Sequence, residues 1–229
     1  ELRRLNAEAR PRVEAHDTAA VNDASRKVNE IVYRDAKQWV AAKKIVALLG
    51  GDHSSPYGLL KALAETHKSF GILHVDAHHD LRDAYEGYQH SHASIMHNVT
   101  RDLPSVTKLV QVGIRTLNRH CREQAARFGV EIVPIADFTP GMVPVLDGPL
   151  YISLDLDGLD PSEAPGVSHP EPGGLRVREV LSVLHAQTGQ IVGADVVELN
   201  PRFDANDRTA ILAAKLVREI AATASRNLR

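Results

Sequence analysis

The sequence predicts an α/β protein built on a parallel sheet. Three observations carry that expectation. Short apolar runs alternate with stretches of helical periodicity along the 229 residues, the pattern of successive βαβ units. The apolar runs show little in–out alternation, as suits strands covered on both faces. Acids and imidazoles follow several of these runs directly, where an open parallel sheet places its ligand site.

The elements follow in order. Val28, Ile31, Val32, Ala36, Trp39 and Val40 recur at helical spacing. Ile45-Val46-Ala47-Leu48-Leu49 reads as a buried strand stopped by Gly50-Gly51. Ser54 and Ser55 before Pro56 read as helix caps, with Leu59, Leu60 and Leu63 as the apolar stripe. Further strand runs lie at 71–75, 109–112, 130–133, 150–154 and 191–194, with another at Val196-Val197-Glu198-Leu199. Helical patterns fill 119–128, with Gly129 as a stop, 176–187 and 207–225. No Gly, Pro or Ser-rich linker divides the chain and no segment repeats, so one domain over 1–229 is expected.

Bulk properties narrow the function. The formal net charge is −2, with no basic surplus to suggest nucleic acid. No apolar stretch is long enough for a membrane span. Cys121 is the sole cysteine, so no disulfide forms within the chain. The opening Glu1-Leu2-Arg3-Arg4 lacks a signal-peptide core. A cytoplasmic protein is the expectation.

The stretch Val75-Asp76-Ala77-His78-His79-Asp80 ends an apolar run with acids and an imidazole at alternate positions. Alternate residues of a strand share a face, and converging carboxylates are costly unless a cation lies between them. Gly51-Asp52-His53 and Asp155-Leu156-Asp157 end two other runs. Together His53, Asp76, His78, Asp80, Asp155 and Asp157 are the candidate metal ligands. Two imidazoles and four carboxylates exceed the needs of one divalent ion and suit two. Their oxygen-rich character favours Mn²⁺, with Ni²⁺ or Co²⁺ as alternatives. His92, in Ser91-His92-Ala93-Ser94, is a candidate proton shuttle. Glu198 is a candidate acceptor for a cationic, guanidinium-like substrate. His90 and His97 read as surface or supporting histidines, Cys121 as core, and His169-Pro170-Glu171-Pro172-Gly173-Gly174 as a stiff turn.

These residues resemble the ureohydrolases: arginase, agmatinase, guanidino-acid hydrolases and formimidoylglutamase. The resemblance rests on Gly50-Gly51-Asp52-His53-Ser54, Asp76-Ala77-His78-His79-Asp80, Ser153 to Pro161, Ala164-Pro165-Gly166 with Gly173-Gly174-Leu175, and Glu198-Leu199-Asn200-Pro201. It covers roughly residues 45 to 225.

It implies an arginase-like three-layer αβα sandwich with a mostly parallel central sheet and two Mn²⁺. One ion would take His53, Asp76, Asp80 and Asp155, the other His78, Asp76, Asp155 and Asp157, with Asp76 and Asp155 bridging. It implies hydrolysis of a small guanidino compound to urea and an amine, with Glu198 receiving the guanidinium. Asp80, His92 and Glu198 are the candidate catalytic residues, His92 passing a proton to the leaving amine. It further implies a homotrimer or homohexamer.

The chain departs from the family pattern in two places. The family's N-terminal strand has no obvious counterpart. Arg82 stands where arginases carry Asn, which matches the formimidoylglutamase pattern, whereas His92 does not. Arg82 is expected at the mouth of the site, holding a substrate carboxylate; the alternative is an outward pairing with Asp83 or Glu86. The competing functions are a formimidoylglutamase releasing formamide from a formimino substrate and a catalytically silent metal-binding subunit. A single-zinc deacetylase of the related metal fold fits poorly, because the ligand set is too large.

Overall fold

The computed structural model describes residues 1–116 and 118–228. Among these residues six strands form one parallel sheet: β1 (Val46–Leu49), β2 (Phe70–Val75), β3 (Val106–Val112), β4 (Glu131–Val133), β5 (Leu150–Asp155) and β6 (Ile191–Val197), in the order β1-β6-β5-β2-β3-β4. The chain winds outward from β2 through β3 to β4, then returns to the other side of β2 for β5 and β6. The order therefore reverses between the paired strands β2 and β5.

Helices cover both faces. Helices α2 (Thr18–Ala41), α3 (Tyr57–Thr66), α4 (Ile95–Asp102) and α5 (Arg119–Phe128) share a core with Phe70, Ile72, Leu109 and Tyr151. Helices α6 (Val177–Ala186) and α7 (Arg208–Asn227) pack on Leu73, Val75, Ile152 and Leu154. The side-chain period of two divides each strand between these cores. Burial on both faces explains why the strands read as unbroken apolar runs; each large apolar side chain so buried contributes about 1.5–3 kcal/mol. The three-layer αβα arrangement expected from the resemblance is the observed one.

Most element boundaries match the sequence reading to within a few residues. Gly129 ends α5 in the left-handed conformation, at φ 64°, which a residue without Cβ adopts freely. Four details differ. The runs at 191–194 and 196–199 form one strand, β6, which ends at Val197, before Glu198. Helix α1 (Leu2–Glu14) buries no side chain, so it has no apolar face for sequence periodicity to reveal. Helix α4 occupies a segment, around His97, in which no element was expected, and buries Ile95, Met96 and Val99. Ser54 and Ser55 do not cap α3: the Ser54 amide and hydroxyl both donate to Asp52 Oδ1, and the Ser55 hydroxyl donates to the Asp52 carbonyl. The aspartate makes the turn. Among the described residues no helix is long and apolar enough to cross a membrane.

Candidate metal centre

Asp76 and Asp155 leave the carboxyl ends of β2 and β5 on either side of the point where strand order reverses, the crevice that open α/β sheets use for ligands. Beneath them runs a polar row in strand register: Gln111 of β3 pairs with His74 of β2, His74 with Ser153 of β5, and Ser153 with Asp195 of β6. All four side chains are fully buried.

The ligand candidates converge on this edge in two overlapping groups. In the first, His53 Nδ1 lies 3.0 Å from Asp76 Oδ2, 3.2 Å from Asp80 Oδ2 and 3.1 Å from Asp155 Oδ2. In the second, His78 Nδ1 lies 3.5 Å from Asp76 Oδ1 and 3.1 Å from Asp157 Oδ2. Asp76 thus turns one oxygen toward each group, the arrangement of a bridging carboxylate. Asp155 faces His53 through Oδ2, while its Oδ1 accepts the Asp157 amide at 2.8 Å.

Electrostatics expresses the same convergence. Burial, reinforced by the Asp157 and Asp76 charges, holds Asp155 well above the usual carboxylate range. Burial and Asp76 push Asp157 up to about 6. For His78 burial acts against protonation, but the Asp157 and Asp76 carboxylates outweigh it and raise it to about 11. Four carboxylates at 5 % exposure or less in so small a volume need positive charge between them. The all-oxygen and imidazole donor set, with no thiolate, fits hard or borderline divalent ions such as Mn²⁺.

Two backbone approaches set the spacing. A Cβ on Gly158 would meet the Asp76 amide nitrogen at 2.8 Å, and one on Gly113 would meet the Asp76 carbonyl oxygen at 2.9 Å. Only glycine lets the β3 and β5 loops close on Asp76 this tightly. Asp80 and Glu198 adopt left-handed backbone conformations, at φ 52° and 67°. Such conformations cost non-glycine residues about 1–3 kcal/mol and concentrate at functional sites.

A cavity of about 160 Å³ opens above the centre, and Arg82, His92 and Glu198 all line it. Glu198 is 7 % exposed. Its Oε1 accepts the His53 amide at 2.8 Å, and burial pushes its carboxyl up to about 8. The guanidinium carbon of Arg82 lies 5.3 Å from the centre of the Tyr85 ring. Arg82 makes no ion pair with Asp83 or Glu86; Asp83 faces His120 instead, at 3.6 Å.

Four further residues join the site. His169 also lines the cavity; its ring stacks on His92 at 4.9 Å and meets His78 edge-on at 6.3 Å. The proline-bracketed turn therefore delivers an imidazole, which its local sequence gave no cue to. His74 Nε2 lies 2.8 Å from Asp76 Oδ2; its signal was its place two residues before Asp76, on the same strand face. Ser153 and Asp195 support His53 from the polar row. Of the other histidines, His97 is buried, and His90 Nδ1 lies 3.4 Å from Asn29 Nδ2. Cys121 is buried in α5 as expected, and reaches the cavity wall.

A parallel α/β sheet with paired acid–imidazole groups at its switch point defines the class: an α/β protein with a candidate two-ion centre. The chain belongs to the Arginase family, whose profile matches residues 3–223. It is 47 % identical over 191 residues to "Arginase 1, mitochondrial" of Arabidopsis thaliana, across 78 % of this chain and 55 % of that protein. It is 37 % identical to "Agmatinase, mitochondrial" of Gallus gallus, across 82 % of this chain and 59 % of that protein. The structure of the arginase from Medicago truncatula superposes with a TM-score of 0.81 at 38 % identity, covering 90 % of this chain and 69 % of that one. The chain spans about half the length of the curated relatives it matches.

Proposed function

We propose that this chain carries the centre of a metal-dependent amidinohydrolase that releases urea from a small guanidino compound with a carboxylate tail. The observation that carries the reading is the division of Asp76: Oδ2 toward His53 and Oδ1 toward His78, beneath a cavity that Glu198 and Arg82 line. His53, Asp76, Asp80 and Asp155 would hold one divalent ion, and His78, Asp76 and Asp157, with Asp155, the other. Bound there, the ions supply Lewis acidity and a charge complement for developing negative charge.

The side chains supply the rest. Glu198 has one oxygen tied to the His53 amide and offers its carboxylate to a planar guanidinium in charge-assisted hydrogen bonds. A bound cation offsets the cost of ionising this buried acid. Arg82 has no carboxylate partner among the described residues and presents a fork that matches a tail carboxylate; a free ammonium in the same place is repelled. His92 lies between the Tyr85 ring, at 5.6 Å, and the stacked His169. It passes a proton to the leaving nitrogen.

The names of the relatives, arginase and agmatinase, support the guanidino class. Arg82 two residues after Asp80 favours one second reading, a formimino substrate releasing formamide. A panel of arginine, a linear guanidino acid, agmatine and formimidoylglutamate decides among these, with Mn²⁺-loaded and Ni²⁺-loaded protein and urea, ammonia and formamide as readouts. The proposal expects urea, fastest from the carboxylate-bearing guanidino substrates. Formamide alone supports the second reading. No product from any of the four, with two ions bound, sinks both.

A further inference from the structure

Arg115 lies just beyond β3 and is partly buried. Its backbone amide donates to the Ala77 carbonyl at 3.0 Å, inside the Asp76–Asp80 loop. Its guanidinium forms no ion pair among the described residues. Nη1 donates to the carbonyls of Gly113 at 3.0 Å and Gly158 at 3.1 Å. Nη2 donates to Asp157 O at 2.8 Å and Leu159 O at 3.2 Å. Nε and Nη2 both donate to Glu171 O. A guanidinium has five N–H donors in a rigid plane, and here each finds a backbone carbonyl. Lysine, with three donors on one atom, has no such reach.

The acceptors come from segments far apart in sequence that meet at the site. Residues 157–159 carry Asp157. Glu171 belongs to the turn that carries His169. Gly174 closes onto the same brace, since a Cβ there would meet Arg115 Nη2 at 2.7 Å and the Leu159 carbonyl carbon at 2.6 Å. The first ligand group is secured elsewhere. Asp155 belongs to β5 itself, and His53 is held by Ser153 and, through its amide, by Glu198.

We infer that Arg115 is a positioning residue for one half of the centre: it braces Asp157 and the His169 turn against the Asp76–Asp80 loop, so that the His78–Asp157 group forms only while this guanidinium is in place. The inference rests on the two-ion reading above for its consequence, and on the hydrogen bonds alone for the brace.

The test uses the full chain with Arg115→Met and Arg115→Lys. In metal-free protein, hydrogen–deuterium exchange across 157–175 should rise about tenfold or more in Arg115→Met, while 46–49 and 191–197 keep wild-type protection, because opening is local to the braced segment. Titrated with Mn²⁺ alone, Arg115→Met should lose about 10–100-fold in affinity for one ion, the usual cost of removing an outer partner of a ligand, and keep the other within a few-fold. The coupled two-ion electron paramagnetic resonance signal should give way to that of an isolated ion. Arg115→Lys should fall between. Unchanged exchange across 157–175, equal weakening of both ions, or exchange rising everywhere in both variants would overturn the inference. A wild-type chain that takes fewer than two ions refutes the proposed centre, whereas the brace still stands or falls on the metal-free exchange.

Discussion

Ser153 Oγ lies 2.8 Å from His53 Nε2 and 3.1 Å from Asp195 Oδ1. The hydroxyl accepts from the imidazole and donates to a carboxylate that is itself held by the Tyr151 hydroxyl at 2.7 Å. This contact places the Nε2 proton and turns Nδ1 toward three carboxylates. Against burial, these raise His53 well above its ordinary range, so a cation bound there takes the place of the Nδ1 proton.

Ser153→Ala should therefore weaken the His53 ion by about 10–100-fold without removing any ligand. The buried Asp195 Oδ1 loses a donor in the same change. Mn²⁺ titration of the variant checks this, with Ser153→Thr expected to restore much of the affinity. An Ala variant that binds as wild type does would show that His53 needs no such support.

Loading should depend on pH with a definite sign. In metal-free protein His78, raised to about 11 by Asp157 and Asp76 against burial, holds a proton at neutral pH. Asp157, pushed to about 6 by burial and Asp76, takes one as pH falls. A ligand must shed its proton to bind. Affinity should thus rise with pH above neutrality and drop as pH falls through about 6. Calorimetric titration with Mn²⁺ at pH 7 in two buffers of different ionisation enthalpy should report release of roughly one proton or more per chain. Heats that do not depend on the buffer would contradict the sign.

The substrate tail is tested at Arg82. Arg82→Ala should cost a guanidino acid about 2 kcal/mol in kcat/KM, the low end for truncating one partner of a charged pair because the side chain is part-exposed. Agmatine should lose nothing or gain. Equal losses on both substrates would remove Arg82 from tail recognition.

Proton transfer is tested at His92. His92→Ala should lower kcat about 100-fold or more, the usual range for a positioned acid–base group, with metal content unchanged and partial rescue by added imidazole. Full turnover in the variant would leave His92 as a packing partner of Tyr85 and His169 alone.

What the sequence disclosed follows from how locally each feature is encoded. Strands buried on both faces leave unbroken apolar runs, so β2 and β5 were legible, as were the acids that end them. Helix α1 was hidden because it buries nothing. Helix α4 was hidden because Ile95, Met96 and Val99 sit among histidine, serine and asparagine, which break up its apolar stripe. His169 reaches His78 and His92 only through tertiary folding, and no spacing in the chain announces that contact. Arg115 is a lone arginine in sequence; its role appears only when carbonyls from 157–159 and 171 close around it. The row of Gln111, His74, Ser153 and Asp195 likewise needs the strand register, which four separate segments do not reveal.

A two-ion centre bridged by Asp76 is tested by the metal content of the wild type, Asp76→Ala, His53→Ala and His78→Ala after equilibrium dialysis against Mn²⁺. The wild type should hold about two ions per chain, Asp76→Ala none tightly, and each histidine variant roughly one. One ion in the wild type, or an Asp76→Ala variant that still holds an ion tightly, would contradict it.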